Sequence, residues 1–178
     1  MDDGLIQLDP PLTDVAWSDA FAGRSLETFF IFLRDGSPRV LRPIHAASLL
    51  LGWGPESQPG TVVVGAAARY GLSPVVAHST SWRVVDDRLI LTYLAVVELP
   101  RRPSPHLVEQ PVLRGALARG GALAAPSDIQ VDTVIEHALR HLRWLLADDE
   151  VVRQALPDWA SALEDYQPEP FRAFGAEP

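Results

Sequence analysis

The clearest helical pattern lies in "SDIQVDTVIEHALRHLRWLLADD", residues 127–149, where apolar positions recur every three or four residues. Ser127 or Asp128 is placed to cap this helix. Glu136 and Arg140 have the i, i+4 spacing of an ion pair, which we expect on the outside of the helix. The apolar stripe contains Val131, Val134, Ile135, Ala138, Leu139, Leu142, Leu145 and Leu146.

Two further short helices are predicted after this long one. The first begins at Asp148 or Asp149, and the second has Pro157 in its first turn, where a proline is tolerated. Their apolar side chains are Val151, Val152, Leu156, Trp159, Leu163 and Tyr166.

Patterns typical of β-strands fill much of the preceding chain. "LETFFIFLR" and "RVLRPI" flank Asp35 and Gly36 and predict a β-hairpin. "VVAHSTSWRVV" alternates imperfectly and is followed, after "DD", by "RLILTYLAVVEL". The latter is apolar on both faces, which is typical of a strand inside a sheet. We therefore expect the centre of the core to be Tyr93 with its neighbours Leu91, Leu94, Val96 and Val97.

The remaining segments carry weaker patterns. Thr13 is placed to cap a short helix, and "HAASLLLGWG", residues 45–54, has a helix-like composition. "TVVVG" predicts a short strand and "AAARYGLSP" a helical turn that ends at Gly71. "PRRPSPHLVEQP" holds four prolines and predicts an extended connector, followed by a brief helix in "VLRGALARGG".

The predicted order of a hairpin, a helix, a short strand, a long central strand, a connector and a helix resembles the Nudix fold over residues 26–147. The strand pair "HSTSWR…LILTYLAVVE" also resembles a group of uncharacterised actinobacterial proteins. We therefore expect an α+β fold, with a mixed β-sheet packed with helices and followed by C-terminal helices. The expected organisation is a single domain, 1–178, with 26–147 as its core and 148–178 as a helical extension and tail.

The Nudix resemblance implies a motif of adjacent glutamates on a helix that closes with a glycine and an apolar residue, and those carboxylates hold magnesium against a diphosphate. In this chain the motif could only close on Gly71 and Leu72, and Ala68 and Arg69 stand where the paired glutamates belong. Magnesium requires hard oxygen ligands, which neither residue supplies. We therefore expect no standard diphosphate hydrolysis, no cofactor and no catalytic residue of the family type.

Composition narrows the remaining function classes. The 178 residues contain no cysteine, which excludes disulfides, thiolate metal sites and a cysteine nucleophile. The net charge of −8 argues against nucleic-acid binding, so we expect none. No apolar run is long enough to span a membrane, and the acidic start does not resemble a signal peptide, so we expect a cytoplasmic protein without membrane contact.

"HSTSWR", residues 78–83, is the most polar stretch beside the predicted core. Strict alternation would place His78, Thr80 and Trp82 on one face and Ser79, Ser81 and Arg83 on the other. One interpretation is an ordinary strand, with Trp82 in the core and Arg83 paired with Asp86 or Asp87. The other is a pocket wall in which these polar side chains bind a small-molecule ligand; its candidate residues are His78, Ser79, Ser81, Arg83 and, at the end of the next strand, Glu98.

His137 and His141 are the other candidates, since i, i+4 histidines can grip zinc. The glutamate of the metalloprotease motif is missing because Ala138 stands there, so we predict no metal site. The same two histidines and Trp144 form a second face beside the apolar stripe.

That second face must be covered, either by the C-terminal helices folding back or by another copy of the chain, and we favour a homodimer with those helices at the interface. Three function classes therefore remain. They are a non-catalytic protein that acts through a small ligand or protein contacts, a hydrolase with a site built from His78, His137 and His141, and a structural homodimeric module.

Overall fold

The computed structural model describes residues 23–54, 56–99, 104–115, 117 and 129–169. The elements run in the order β1 Gly23–Arg34, β2 Ser37–Pro43, β3 Leu49–Gly52, α1 Pro59–Arg69, β4 Ser73–Val85, β5 Arg88–Glu98, β6 Leu107–Pro111, α2 Val131–Asp148, α3 Glu150–Ala155 and α4 Trp159–Ala162. The predicted helix at Thr13 and the caps Ser127 and Asp128 lie outside these residues. In the described part of "VLRGALARGG" no helix is present.

The six strands form one mixed sheet in the order β4-β5-β1-β2-β6, with β3 pairing alongside β1. β1 and β5 are parallel, with Phe29 opposite Leu94, and the other pairs are antiparallel. β5 therefore lies inside the sheet, as its run of apolar residues predicts. The expected fold class, a mixed sheet packed with helices and followed by C-terminal helices, is confirmed.

The sheet contains two β-hairpins, and each is closed by a tight turn of two residues. Asp35 and Gly36 have φ values of 51° and 73°, so the predicted hairpin between β1 and β2 is confirmed with both turn residues in the left-handed region. Asp86 and Asp87 turn β4 into β5 with φ values of 47° and 59°. Aspartate tolerates this conformation better than most residues, which explains why the dipeptide makes the turn without a glycine.

Residues 45–54 are not helical, and that prediction is wrong. β2 pairs only with the second half of β1, which leaves an edge over residues 25–28 that β3 fills. Leu49 and Leu51 are buried whereas Leu50 is 48% exposed, so the run follows a period of two. Its leucines fit a strand as readily as a helix, and the open edge of β1 decides between the two.

"TVVVG" belongs to helix α1, so the predicted strand is also wrong. Pro59 starts the helix, and Val63, Ala66 and Ala67 form its buried face at helical spacing. Gly71 follows with a φ of 70°, which confirms the predicted stop. The connector after β5 also holds more structure than its prolines indicate, because residues 107–111 form edge strand β6 against β2.

The sheet buries a separate core on each face. On the first face, called the α1 face, α1 covers the side chains of Leu26, Phe30, Leu51 and Ala95. On the second, called the α2 face, α2 and the C-terminal helices cover a core that includes Leu94. The other members of that core on the sheet are Phe29, Ile31, Val40 and Val96.

The C-terminal helices fold back onto their own chain. Val152, Leu156, Trp159, Leu163 and Tyr166 are all buried in the core of the α2 face, whereas Val151 is 75% exposed. Asp149 starts α3 as predicted, since its carboxylate accepts hydrogen bonds from the backbone N–H groups of residues 151 and 152. The apolar surface that favoured a homodimer through these helices is therefore covered within one chain.

Candidate functional site

A β-bulge in β4 sets the geometry of the polar stretch. His78 lies opposite Leu94, but the register then skips Thr80, so that Ser81 pairs with Thr92. Residues directly opposite each other on paired strands share a face. His78, Ser81 and Arg83 consequently all lie on the α2 face, and the prediction that His78 shares a face with Trp82 is wrong.

The bulge also places Trp82 and Ser79 on the opposite face of the sheet. Trp82 pairs with Leu91 and Ser79 with Tyr93, which puts both on the α1 face. Trp82 is 42% exposed rather than a core residue. The extra residue, Thr80, is buried, and its hydroxyl lies 3.5 Å from the carbonyl oxygen of Thr92.

Two histidines bind the backbone carbonyls of the bulge. His78 Nδ1 lies 2.7 Å from the Ser79 carbonyl oxygen, and His137 Nε2 lies 3.3 Å from that of Thr80. A carbonyl oxygen can only accept a hydrogen bond, so His78 carries its proton on Nδ1 and His137 on Nε2. Both side chains thereby hydrogen-bond to backbone carbonyls at the bulge.

His141 lies deepest of the three histidines and is only 2% exposed. Its ring centroid is 5.2 Å from that of His78 and 5.5 Å from that of Trp144. Burial, and secondarily the nearby His78 and His137, lower the pKa of His141 to about 4. The backbone of Glu169 acts in the opposite direction and raises the pKa, but its effect is the smallest of these. His141 is therefore neutral at physiological pH.

The three predicted histidines thus meet at one contact between β4 and α2. His78 and His141 are direct neighbours, and His137 lies one helical turn earlier, at the bulge. Within the described ranges, no three histidine or carboxylate side chains are grouped to hold a metal ion. Glu98 does not join them, because it is exposed at the end of β5, four residues beyond the partner of His78.

Arg83 pairs with a buried carboxylate that sequence reasoning missed. Its Nη1 lies 2.7 Å from Glu27 Oε2, so the predicted pairing with Asp86 or Asp87 is wrong. Thr92 and Ser48 also donate hydrogen bonds to Glu27, at 3.3 and 3.1 Å. An acidic residue inside the apolar run "LETFFIFLR" was the available signal, since a buried charge requires a partner.

A second buried carboxylate lies on α2. Glu136 is fully buried and pairs with Arg140 at 2.8 Å, which confirms the predicted partner but places the pair inside the protein. Arg114 contributes two more hydrogen bonds, at 3.0 and 3.3 Å, and its guanidinium lies 3.9 Å from the centre of the Tyr166 ring. Residue 114 belongs to the segment that was predicted as a brief helix, and its contact with α2, 22 residues further along the chain, was not predictable from periodicity.

Helix α1 offers no acidic side chain anywhere along Pro59–Arg69. Ala68 and Arg69, at the positions of the expected paired glutamates, are both exposed in its last turn, and Gly71 and Leu72 close the motif as expected. This helix therefore supplies no carboxylate that could bind magnesium.

The comparisons with known proteins concern the fold. No protein-family model matches the chain, and no curated protein matches it in sequence. The structure of Shewanella oneidensis NrtR complexed with a 27mer DNA is similar, with a TM-score of 0.50 and 13% identity over 84% of this chain and 78% of that one. This likeness supports a Nudix-like fold and extends no further than the fold.

Two further solved structures are less similar to this chain. A protein from Chromobacterium violaceum described as a nudix hydrolase family member has a TM-score of 0.45 and 12% identity over 82% of this chain and 98% of its own. The E. coli ORF135 protein has a TM-score of 0.29 and 17% identity over 49% of this chain and 68% of its own.

Proposed function

We propose that this chain is a non-hydrolytic protein of Nudix-like fold that acts through contacts with a partner. The observation that carries the proposal is the acid-free helix α1, whose last turn bears Ala68 and Arg69 instead of carboxylates. Without those ligands the chain has no means of holding magnesium against a diphosphate in the family manner. We expect no nucleic-acid partner, since the net charge is −8.

A hydrolase built from His78, His137 and His141 has less support. His78 and His137 each spend one ring nitrogen on a carbonyl of the bulge, and His141 is buried against Trp144. A general base must reach a substrate proton within hydrogen-bond distance. These contacts favour a structural role for the three side chains, in packing and in hydrogen bonding at the contact between β4 and α2.

Binding of a small anion by Arg83 also has less support. The guanidinium already faces Glu27 at 2.7 Å, and the pair is nearly closed to solvent, with side-chain exposures of 16% and 4%. An anionic ligand would have to displace a carboxylate that is itself held by two hydroxyl groups. We therefore place the proposed partner contact at another surface of the sheet.

That surface is the outer end of β4, which we call the β4 tip and define as Trp82, Val84 and Val85. These side chains are 42%, 39% and 44% exposed, and among the described residues β4 has a strand neighbour on one side only. Exposed apolar side chains on a free strand edge favour pairing with another strand. The proposed partner is a second copy, because two-fold antiparallel pairing joins the same edge of both molecules.

Sedimentation of the wild-type chain and of Val84→Lys tests this contact. We expect the wild type to associate at tens of micromolar, and Val84→Lys to shift it toward monomer by placing a charge at the tip. Val64→Lys is the matched control, since Val64 is 46% exposed but lies on α1. A monomeric wild type, or equal effects of the two lysines, contradicts the contact through the β4 tip.

A further inference from the structure

His78 and His141 bring two imidazole rings together across the contact between β4 and α2. Their ring centroids are 5.2 Å apart. Two imidazoles on one tetrahedral zinc ion would have centroids about 5 Å apart, given zinc–nitrogen bonds of about 2.0–2.1 Å. The observed separation is therefore one at which both rings could bind the same ion.

The hydrogen bond of His78 leaves one of its ring nitrogens available to a metal. Nδ1 donates its proton to the Ser79 carbonyl oxygen at 2.7 Å, so Nε2, across the ring, keeps its lone pair. Histidines that bind metals commonly have this arrangement, in which one nitrogen donates to a carbonyl oxygen and the other binds the ion. The bulge thus fixes the tautomer in which His78 can act as a ligand.

His141 supplies the second nitrogen. Its side chain is only 2% exposed, and neither Nδ1 nor Nε2 has a hydrogen-bond partner among the described residues. The backbone of Glu169 influences the ring but can engage only one of the two nitrogens. At least one buried nitrogen therefore lacks a partner, which is uncommon in folded proteins and points to a ligand that the chain itself does not supply.

We propose that His78 and His141 bind a divalent transition-metal ion of zinc's type between β4 and α2, through one ring nitrogen of each. Imidazole nitrogen favours zinc, copper and nickel over magnesium, which requires oxygen ligands. This pair differs from the i, i+4 pair of His137 and His141, since one of its ligands comes from the sheet. The ion would join the edge strand to the long helix, a role that is independent of the β4 tip.

The coordination also sets the expected affinity. His78 is half-buried, so water can reach the ion and complete its coordination. Dedicated zinc sites have three or four protein ligands, whereas the described residues offer no group of three histidine or carboxylate side chains for one ion. We therefore expect binding in the micromolar range and a chain that folds without the metal.

Isothermal titration calorimetry of the metal-free full chain with zinc chloride at pH 7.5 tests the proposal. At this pH a histidine with its ordinary pKa of about 6.5 is mostly neutral and can bind a metal. We expect one saturable zinc site per chain and no binding of magnesium at the same concentrations. Excess zinc should also raise the urea midpoint of unfolding, because the ion binds the folded chain. Absence of saturable zinc binding by the wild type overturns the proposal.

Variants of single histidines identify the ligands. His78→Phe and His141→Phe each remove one ligand but keep an aromatic ring, and each should weaken zinc binding by about 10-fold or more, since losing even an outer hydrogen bond to a ligand costs about that much. His137→Phe should retain the site, which separates the pair across β4 and α2 from the pair on the helix. His45→Phe is the matched control for adventitious binding, because His45 is exposed on the loop after β2.

Two results with the variants overturn the proposal. One is equal zinc affinity in the wild type and in both ligand variants, which describes an adventitious ion only. The other is loss of binding in His137→Phe with retention in His78→Phe, which assigns the ion to the helix alone. If His141→Phe does not fold, His78→Phe decides by itself, since His78 is half-buried and its replacement disturbs the core less.

Discussion

Glu136→Gln should destabilise the protein far more than an exposed ion-pair substitution does. The carboxylate is fully buried and receives hydrogen bonds from Arg140 and Arg114 at 2.8, 3.0 and 3.3 Å. Glutamine keeps the shape but offers one acceptor oxygen instead of two and turns its amide donors toward guanidinium donors. At about 1.5–3 kcal/mol for a hydrogen bond to a charged group, the loss should total about 2–4 kcal/mol.

Solvent weakens one of the two ion pairs of Glu136 more than the other. The Arg114 side chain is 49% exposed, so its share is weakened by screening, whereas that of Arg140 is only 17% exposed and contributes more. Urea unfolding at pH 7.5 measures the free-energy change from the shift in midpoint. Arg34→Met is the control, since it removes an exposed pair with Glu109 and should cost less than about 1 kcal/mol. A loss below about 1 kcal/mol for Glu136→Gln would refute the buried ion-pair assignment.

Substitutions at three further positions check other parts of the structure by the same unfolding measurement. Leu94→Ala should cost about 2–5 kcal/mol because Leu94 is buried at the centre of the sheet, and a loss below about 0.5 kcal/mol would place β5 at an edge. Asp149→Ala should cost about 1 kcal/mol through loss of the cap of α3, and Asp149→Ser should recover most of it. His137→Phe should cost about 1 kcal/mol by leaving the Thr80 carbonyl without its donor, and unchanged stability would show that this hydrogen bond is dispensable.

The sequence predicted those elements whose pattern is unambiguous over many residues. The helix around Leu139, the hairpin at Asp35 and Gly36 and the interior strand β5 all agree with the structure. Each of them is encoded locally, by a helical stripe, a turn dipeptide or an uninterrupted apolar run. The overall fold class followed from their order.

Short apolar runs could not be assigned in this way. Residues 49–52 became a strand because β1 had an open edge, and residues 61–65 became helical because Pro59 and the glycine stop at Gly71 bounded a helix. Both outcomes depend on neighbours that periodicity does not show. A run of valines or leucines is compatible with either structure until those neighbours are known.

The candidate site was predicted in composition but not in geometry. Sequence spacing found His78, His137 and His141, which do meet, yet one extra residue in β4 reversed the face on which Arg83 and Trp82 were expected relative to His78. After a bulge, every later side chain on the strand points to the face opposite to the one that strict alternation predicts. The partner of Arg83, Glu27, comes from a distant strand and required the sheet order to identify it.

The proposed absence of hydrolytic activity is checked by assaying the chain with nucleoside diphosphate derivatives and magnesium. The purified chain is incubated with a panel of such substrates and magnesium, in parallel reactions with and without a chelator. The released products are separated, and their amounts are compared with a blank that contains no protein. Helix α1 carries no carboxylate, so we expect no turnover above the blank on any substrate. Magnesium-dependent turnover that the chelator abolishes would contradict it, because the chain would then hold the metal through residues other than those of α1.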